Sequence, residues 1–240
     1  MSGILYPVSV LGGLGLLFGV VLSIASKVFA IETNPKVENI RKVLPGANCG
    51  ACGFPGCDGL ANAIVEGKAP VNACSVGGKP VAEKVADIMG VNAAETVRQV
   101  ATVLCQGDCD KAKEKYEYNG IMDCRAQNIL AGGSKSCSYG CLGCGTCKDA
   151  CKYGAIEIID GVAVIDKEKC VSCKACIAVC PKGIIELVPY DQKVIVKCKS
   201  NDMGKTVRSN CSIGCIGCQL CVKNCPKDAF TFENNLAKIN

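Results

Sequence analysis

The chain has 240 residues, with 22 cysteines, no histidine and no tryptophan. Aromatic residues make up only 5% of it, too few for large hydrophobic cores, so disulfide bonds or bound metal must help to order the chain. The absence of histidine removes the Ser/His and Cys/His pairs of nucleophilic catalysis and argues against a hydrolase or protease.

The formal net charge of +5 counts every cysteine as neutral. Three four-iron clusters, each contributing roughly −2 with its thiolates, would bring the total to roughly −1. In addition, no run of more than two basic residues occurs in the chain. We therefore expect no nucleic-acid partner.

Residues 1–27 form the predicted membrane anchor. Ile4–Ala25 is an uncharged run of 22 residues, which makes a helix of roughly 33 Å, long enough to cross a bilayer. No basic residue precedes it, which argues against a cleaved signal peptide; a buried helix of a soluble protein is the other alternative. Lys27, Lys36 and Arg41 follow it, and the positive-inside rule then places the rest of the chain on the cytoplasmic side of the cell (inner) membrane.

The next predicted unit, residues 28–80, is a small helical domain with four cysteines. Its first part is expected to continue the membrane helix as far as Leu44, where Pro45 and Gly46 stop it. The cysteines have the spacing C-x2-C-x4-C-x16-C, and the apolar residues of 58–66 recur at helical intervals. A reducing cytoplasm favours thiolate ligation of metal over disulfide bonds. We expect one cluster on Cys49, Cys52, Cys57 and Cys74.

Residues 81–137 form a predicted helical, cysteine-rich connector. Two helices are expected over 80–104, separated near Gly90, because apolar residues recur there at intervals of three and four. The four cysteines that follow match no standard motif, and they either hold a further cluster or remain as buried free thiols. They are Cys105, Cys109, Cys124 and Cys137.

The strongest pattern lies in the next predicted domain, residues 138–190. The spacing C-x2-C-x2-C-x3-C occurs twice, and Pro181 follows the second run. In such a pair the first three cysteines of each run bind one cluster, and the fourth crosses to the other cluster. Zinc is the weaker alternative, because its sites use two separate C-x2-C pairs. The two expected ligand sets are Cys141, Cys144, Cys147 and Cys180, and Cys170, Cys173, Cys176 and Cys151.

An internal repeat extends this pattern into residues 191–240, the last predicted domain. Six cysteines recur at a displacement of 74 residues, and Gly140 and Gly143 recur as Gly214 and Gly217. Six coincidences at one offset indicate duplication. The repeat is incomplete, since the position equivalent to Cys170 would be 244. Its candidate ligands are Cys215, Cys218, Cys221 and Cys225, with Cys198 and Cys211 as additional candidates that correspond to Cys124 and Cys137.

Together these elements predict an α+β fold. It consists of a single N-terminal transmembrane helix, a small helical iron–sulfur domain and bacterial-type ferredoxin domains with short β-hairpins. The hairpin strands are expected at 156–158, 162–165 and 184–188, where apolar residues alternate. The predicted cofactors are [4Fe–4S] clusters, at least three of them, and four to six if the remaining cysteines also bind iron.

This combination resembles one known family. The uncharged N-terminal segment, the motif PGANCGACGFPGCDG at 45–59, the later Cys74 and the ferredoxin pair are together similar to the B subunit of the Rnf (Rsx) membrane electron-transport complex. The resemblance covers essentially the whole chain. It implies an iron–sulfur subunit, without substrate chemistry of its own, of a translocase that moves electrons between reduced ferredoxin and NAD while transporting Na⁺ or H⁺.

The resemblance also implies partners, namely the other subunits of the complex, soluble ferredoxin and the membrane. Two departures bear on the number of clusters: Lys152 replaces the proline expected after Cys151, and the extra cysteines of 105–137 exceed the short form of the family. The alternative function is a membrane-tethered polyferredoxin that donates electrons to an unrelated reductase. Lysines near the clusters would either attract an acidic ferredoxin or form ordinary solvated surfaces that offset the charge of the clusters. They are Lys148, Lys152, Lys167, Lys169, Lys174, Lys182, Lys223 and Lys227.

Overall fold

The computed structural model describes residues 2–28, 34–92 and 97–239. The fold combines short helices with three two-stranded antiparallel sheets among the described residues. The elements follow in the order α1 (Ser2–Val28), α2 (Pro35–Val43), α3 (Gly56–Val65), α4 (Gly78–Met89), β1 (Gln99–Val103), α5 (Cys124–Ile129), α6 (Thr146–Asp149), β2 (Ile156–Ile159), β3 (Val162–Ile165), α7 (Ala175–Val179), β4 (Ile185–Pro189), α8 (Gly204–Asn210), α9 (Leu220–Lys223), β5 (Phe230–Glu233) and β6 (Leu236–Ile239).

Within the described residues, α1 is the one helix long and apolar enough to cross a membrane. Its segment Val10–Lys27 has a mean hydropathy of 1.9, and none of it is buried against the rest of the protein. These properties concern length and composition, and they define one candidate membrane helix.

The predicted continuation of this helix as far as Leu44 is wrong. Residues 29–33 lie outside the described part of the chain, and Asn34 has an extended backbone (φ −62°, ψ 123°). Its side chain accepts a hydrogen bond from the backbone N–H of Lys36 at 3.0 Å, and Pro35 suits the first helical position. A new helix, α2, therefore begins at this point.

The helices α2, α3 and α4 surround one small core, which we call the N-terminal module. Ile40 and Val85 are fully buried in it. The helix predicted over 58–66 is confirmed as α3. Val85 brings α4 into the same core, so the module continues beyond residue 80. Gly90 ends α4 with a φ of 73°, a left-handed conformation that glycine adopts without strain.

The second helix predicted within 80–104 is wrong over the described end of that segment. Gln99–Val103 form β1, which pairs with β4 so that Val100 lies opposite Val188. Val100 is fully buried, and β-branched side chains favour a packed strand over a helix. As a result β4 pairs with the connector, whereas the sequence had predicted a hairpin for it within the ferredoxin pair.

The 74-residue repeat is confirmed by the geometry of two hairpins. β2 pairs with β3, as predicted, and β5 pairs with β6 in the equivalent register. Gly143 and Gly217 both have positive φ, 76° and 67°. A Cβ atom would lie 2.6 Å from the Gly161 carbonyl oxygen at the first position and 3.0 Å from the Asn235 carbonyl oxygen at the second. Both halves thus use glycine where the cysteine loop approaches its hairpin.

The structural repeat does not include Cys124 and Cys198, the first pair of equivalent cysteines in the sequence repeat. α5 begins at Cys124, whereas Cys198 lies in an irregular segment ahead of α8. The connector instead pairs with the second repeat, since the N–H of Lys113 donates to the carbonyl of Asn210 at 2.9 Å. This pairing brings connector cysteines against the second repeat.

Candidate metal centres

Four cysteines of the N-terminal module line one cavity of about 20 Å³. Cys49 and Cys52 lie in the loop before α3, Cys57 lies in the first turn of α3, and Cys74 precedes α4. The loop is held by Asn48, whose side-chain Oδ1 accepts a hydrogen bond from the backbone N–H of Cys57 at 2.8 Å. We call these four cysteines the N-terminal site.

The thiols of the N-terminal site disfavour one another's ionisation. Burial raises the pKa of Cys74, and the nearby Cys57, Cys52 and Cys49 raise it further. The backbone N–H of Gly77 donates a hydrogen bond to the Cys74 sulfur at 3.3 Å and lowers that pKa. Four adjacent thiolates are therefore stable only beside a compensating cation, and binding of a metal releases their protons.

A second cavity of about 20 Å³ lies in the ferredoxin pair. It is lined by Cys141 and Cys147 of the first run, by Cys180 at the end of the second run, and by Cys124 of the connector. Burial raises the pKa of Cys147 to about 12, and Cys141, Cys124 and Cys180 raise it by repulsion between like charges. The fourth cysteine of the second run thus lies with the first run. We call this group, together with Cys144, the first-run site.

Cys144 lies beside Cys124, and its thiol is tied to a buried glutamine. Burial raises the pKa of Cys144 to about 12, and Cys124 adds to this effect. The thiol donates to Gln127 Oε1 at 2.9 Å, and Gln127 Nε2 donates to the Ser134 hydroxyl at 3.0 Å. A thiolate cannot donate, so metal ligation by Cys144 removes this hydrogen bond, and a turned Gln127 amide would instead present its NH₂ group to the sulfur. Ser134 can then donate to Oε1, because a hydroxyl both donates and accepts.

The second-run site consists of Cys170, Cys173 and Cys176 with Cys151 from the end of the first run. Burial raises the pKa of Cys176 to about 11, and Cys173, Cys170 and Cys151 raise it further. The backbone N–H of Ala101 in β1 donates to the Cys170 sulfur at 3.4 Å. A strand that the sequence did not predict therefore supplies a hydrogen bond to a predicted ligand, the kind of contact that tunes a metal centre.

A buried lysine places a positive charge beside the first-run site. Lys135 is 2% exposed, and its ammonium donates to the carbonyl oxygens of Gly107 at 2.7 Å and Gly161 at 2.9 Å. Burial raises the pKa of Cys141, and the charge of Lys135 partly opposes that rise. Nothing in the sequence around Lys135 distinguishes it from exposed lysines, so its burial was not predicted.

The four connector cysteines do not lie together, so the prediction that all four hold one further cluster is wrong. They divide among three places: Cys105 and Cys137 lie with Cys198 and Cys211, Cys124 lies in the first-run site, and Cys109 is exposed with its sulfur beside Gly161. The physical reason lies in the backbone contacts. The strand-like pairing of Lys113 with the second repeat separates Cys105 from Cys124, whose N–H instead donates to Thr146 Oγ1 at 2.7 Å.

The third run has the scaffold of the first run with more exposed thiols. α9 and the β5–β6 hairpin reproduce α6 and the β2–β3 hairpin. Cys218 and Cys221 are exposed, and Cys215 and Cys225 are half-buried. The backbone N–H of Cys215 donates to the sulfur of Cys198 at 3.4 Å. The ligand set of this run remains a prediction.

Tyr153 lies between the N-terminal site and the second-run site. Burial raises the pKa of Tyr153, followed by the charges of Cys49, Cys173, Cys151 and Cys74. These cysteines belong to both sites, so one side chain adjoins two candidate centres. This contact joins residues far apart in the chain and therefore leaves no signal in the sequence.

The arrangement of the thiols fits clusters better than single ions. In the part of the chain that the structure describes, no three Cys, Asp or Glu side chains converge closely enough to hold one metal ion. Zinc would need its sulfurs about 2.3 Å from a single centre. A cuboidal cluster binds each thiolate through a different iron and therefore suits a wider set.

Two family models match the segments of this chain that contain the candidate cysteine ligands. The model described as "Putative Fe-S cluster" matches residues 44–76, which contain the N-terminal site. The model described as "4Fe-4S dicluster domain" matches residues 140–184 and again residues 169–229. The second match includes the third run.

Several curated proteins are similar to the chain over most of its length. The B subunit of the Na⁺-translocating ferredoxin:NAD⁺ oxidoreductase complex of Acetobacterium woodii is 54% identical over 241 residues, which cover 100% of this chain and 72% of that protein. The B subunit of the proton-translocating ferredoxin:NAD⁺ oxidoreductase complex of Clostridium ljungdahlii is 48% identical, with 100% and 85% covered. The B subunit of the ion-translocating oxidoreductase complex of Methanosarcina acetivorans is 47% identical, with 90% and 82% covered.

The fold and the grouped cysteines define a ferredoxin-type iron–sulfur protein with one candidate membrane helix. Within that class, the chain belongs to the family of B subunits of the ion-translocating oxidoreductase, or Rnf, complexes. The resemblance stated from the sequence motifs is thereby confirmed.

Proposed function

We propose that this chain carries electrons between reduced ferredoxin and NAD within an ion-translocating membrane complex that moves Na⁺ or H⁺. The relatives from A. woodii and C. ljungdahlii are named as subunits of such ferredoxin:NAD⁺ oxidoreductase complexes. The observation that carries the proposal is the succession of adjoining cysteine groups along the molecule. Bound clusters supply one-electron chemistry, and the chain needs no catalytic side chain of its own.

The proposed ligands follow the groups that the structure brings together. Each of the three sets has four thiols. In two of them the fourth thiol comes from the other cysteine run. The sets are Cys49, Cys52, Cys57 and Cys74; Cys141, Cys144, Cys147 and Cys180; and Cys151, Cys170, Cys173 and Cys176. The third run contributes Cys215, Cys218, Cys221 and Cys225 as further proposed ligands.

The three complete sets adjoin one another. Tyr153 is close to Cys49 of the N-terminal site and to Cys173 of the second-run site. Cys147 of the first-run site is in turn close enough to Cys176 to be affected by its charge. In our proposal, electrons pass from one site to the next within this single chain.

The protein surroundings favour the reduced, more negative state at several of these sites. Backbone N–H groups of Gly77 and Ala101 donate to the sulfurs of Cys74 and Cys170, and Lys135 places a cation beside the first-run site. Hydrogen bonds to cluster sulfurs and nearby positive charge raise a reduction potential. The chain thus sets the potentials through its backbone and one buried lysine.

The candidate membrane helix supports the proposed location. In our proposal α1 spans the inner membrane once, and Lys27 at its end, with Lys36 and Arg41 beyond it, marks the cytoplasmic side. The iron–sulfur sites then face the cytoplasm, where soluble ferredoxin and NAD are present.

The point at which ferredoxin electrons enter is proposed at the lysines around the ferredoxin pair. Lys148, Lys152 and Lys174 are exposed and can attract an acidic partner. Lys182 does not belong to this surface. Its ammonium donates to the carbonyl oxygens of Gly132 at 2.6 Å and Ser138 at 2.8 Å, so its role is to join the connector to the second run.

The proposal is tested in membrane vesicles prepared from cells whose own copy of this chain is deleted. Reintroduction of the full chain should restore ferredoxin-dependent NAD⁺ reduction. The variant with Cys147→Ser and Cys176→Ser should restore less than about a tenth of that rate, because each change removes a ligand of one linked site. Cys109→Ser is the matched control and should restore the full rate.

A full rate in vesicles that lack the chain would contradict the proposal. It would instead favour a polyferredoxin that serves another reductase.

A further inference from the structure

Four cysteines that belong to no recognised run line a third small cavity. The cavity measures about 30 Å³, similar to the cavities of about 20 Å³ at the N-terminal site and at the first-run site. The four cysteines are Cys105, Cys137, Cys198 and Cys211. Among the described residues, four thiols around a small cavity therefore occur three times, with Cys124 rather than Cys144 lining the cavity at the first-run site.

Cys137 comes from the first repeat, Cys198 and Cys211 come from the second, and Cys105 comes from the connector. Cys137 and Cys211 are repeat equivalents, and each precedes a glycine that the repeat also keeps. Cys105 and Cys198 occupy equivalent positions in space, because each accepts a backbone hydrogen bond at 3.4 Å from the first cysteine of its run. The group is a symmetric junction between the repeats, and we call it the inter-repeat site.

The surroundings of the inter-repeat site resemble those of the other sites. Burial raises the pKa of Cys137, and Cys105, Cys198 and Cys211 raise it further, while the N–H of Tyr139 lowers it. Glycine leaves room next to the sulfurs: a Cβ atom on Gly107 would lie 3.4 Å from the Cys211 sulfur and 3.8 Å from the Cys105 sulfur. Apolar residues complete the wall of the cavity; they include Leu104, Ala112 and Val207.

We propose that Cys105, Cys137, Cys198 and Cys211 together hold a [4Fe–4S] cluster that connects the ferredoxin pair to the third run. The inter-repeat site is joined to the first-run site by the hydrogen bond from Cys141 to Cys105, and to the third run by the bond from Cys215 to Cys198. The cluster takes one electron from one neighbour and gives one electron to the other, with no proton or atom transferred. Only this relay role rests on the proposed function, since iron binding does not require it.

The test is the iron and acid-labile sulfide content of the full chain, purified and reconstituted without oxygen. Cys137→Ser and Cys198→Ser change one ligand from each repeat, and each should remove roughly four irons per chain. The double variant should lose no more iron than either single variant, because both cysteines hold one cluster. Cys109→Ser is the matched control from the same connector and should retain all iron.

Three results would overturn this assignment. They are full iron content in Cys198→Ser, a loss of roughly eight irons in the double variant, and zinc in place of iron at an otherwise intact site. Circular dichroism of each variant separates local loss of a cluster from unfolding. Because iron is counted without ferredoxin or NAD, failure here is distinguishable from failure of the proposed function.

Discussion

The backbone N–H of Cys141 donates a hydrogen bond to the sulfur of Cys105 across 3.4 Å, although 36 positions separate the two residues. Cys141 belongs to the first-run site, and Cys105 belongs to the inter-repeat site. The contact shows how the connector, which has no motif of its own, is built into the ferredoxin scaffold. This hydrogen bond thereby joins the first-run site to the inter-repeat site.

The buried charge of Lys135 leads to a prediction about redox potential. Lys135→Met removes a cation beside Cys141 and should make the potential of the first-run cluster more negative, because the reduced state carries more negative charge. We expect a shift of about 59 mV, which corresponds to about 1.4 kcal/mol for one electron. Potentiometric titration followed by electron paramagnetic resonance measures it. The exposed Lys113→Met is the control, and an unchanged potential in Lys135→Met would contradict the assigned role.

Cys124 and Cys144 both lie in the first-run site, and only one of them is needed as the fourth ligand of its cluster. Iron analysis of their variants should show which one binds iron. The spacing of the run assigns ligation to Cys144, so Cys124→Ser should keep its full iron content. Cys144→Ser together with Cys124→Ser should lose roughly four irons per chain. If Cys124→Ser alone loses the cluster, Cys124 is the ligand and Cys144 remains a thiol that donates to Gln127.

In our proposal, the fourth cysteine of each run binds the cluster of the other run. This exchange predicts which pairs of variants lose iron additively. Cys180→Ser should remove the first-run cluster, because Cys180 lies with Cys141 and Cys147. Combining it with Cys147→Ser should cost no further iron, whereas combining it with Cys173→Ser should cost roughly eight irons in total. Iron analysis of the purified chains measures both. The reverse pattern would show that each run keeps its own fourth cysteine.

The docking of ferredoxin should depend on salt. Reduction of the chain by ferredoxin should slow as ionic strength rises past about 0.1 M, where the screening length is about 10 Å. Charge reversal at Lys174 and at Lys223, both exposed, locates the docking surface at the second run or at the third run. Stopped-flow spectroscopy provides the rates. A rate that responds neither to salt nor to either reversal would mean that electrons enter elsewhere or that docking uses an apolar surface.

Much of this architecture could be predicted because cysteine spacing is a local constraint. The runs at 141–151 and 170–180 and the hairpin at 156–165 depend on residues close together in the chain, and the 74-residue offset identified the second repeat. The N-terminal site is similarly local, with a loop and one helix between its cysteines. In each case the spacing of the cysteines predicts both the ligands and the loop, helix or hairpin that holds them.

The remaining features depend on contacts between distant segments. Val97, Val100 and Leu104 have helical spacing in the sequence, yet Val100 lies in a strand because β4 supplies the partner. Cys105 could not be assigned to Cys198 from spacing, since pairing of the connector with the second repeat decides that contact. The burial of Lys135 likewise depends on carbonyl groups from two separate loops.

The most direct test of an electron-carrying chain is anaerobic mixing of the purified full-length protein with reduced ferredoxin. We expect the iron–sulfur absorbance of the chain to bleach as ferredoxin is oxidised, with roughly one electron accepted per cluster. Iron content measured on the same sample establishes that the clusters are intact. Intact clusters that stay oxidised beside reduced ferredoxin would contradict the account.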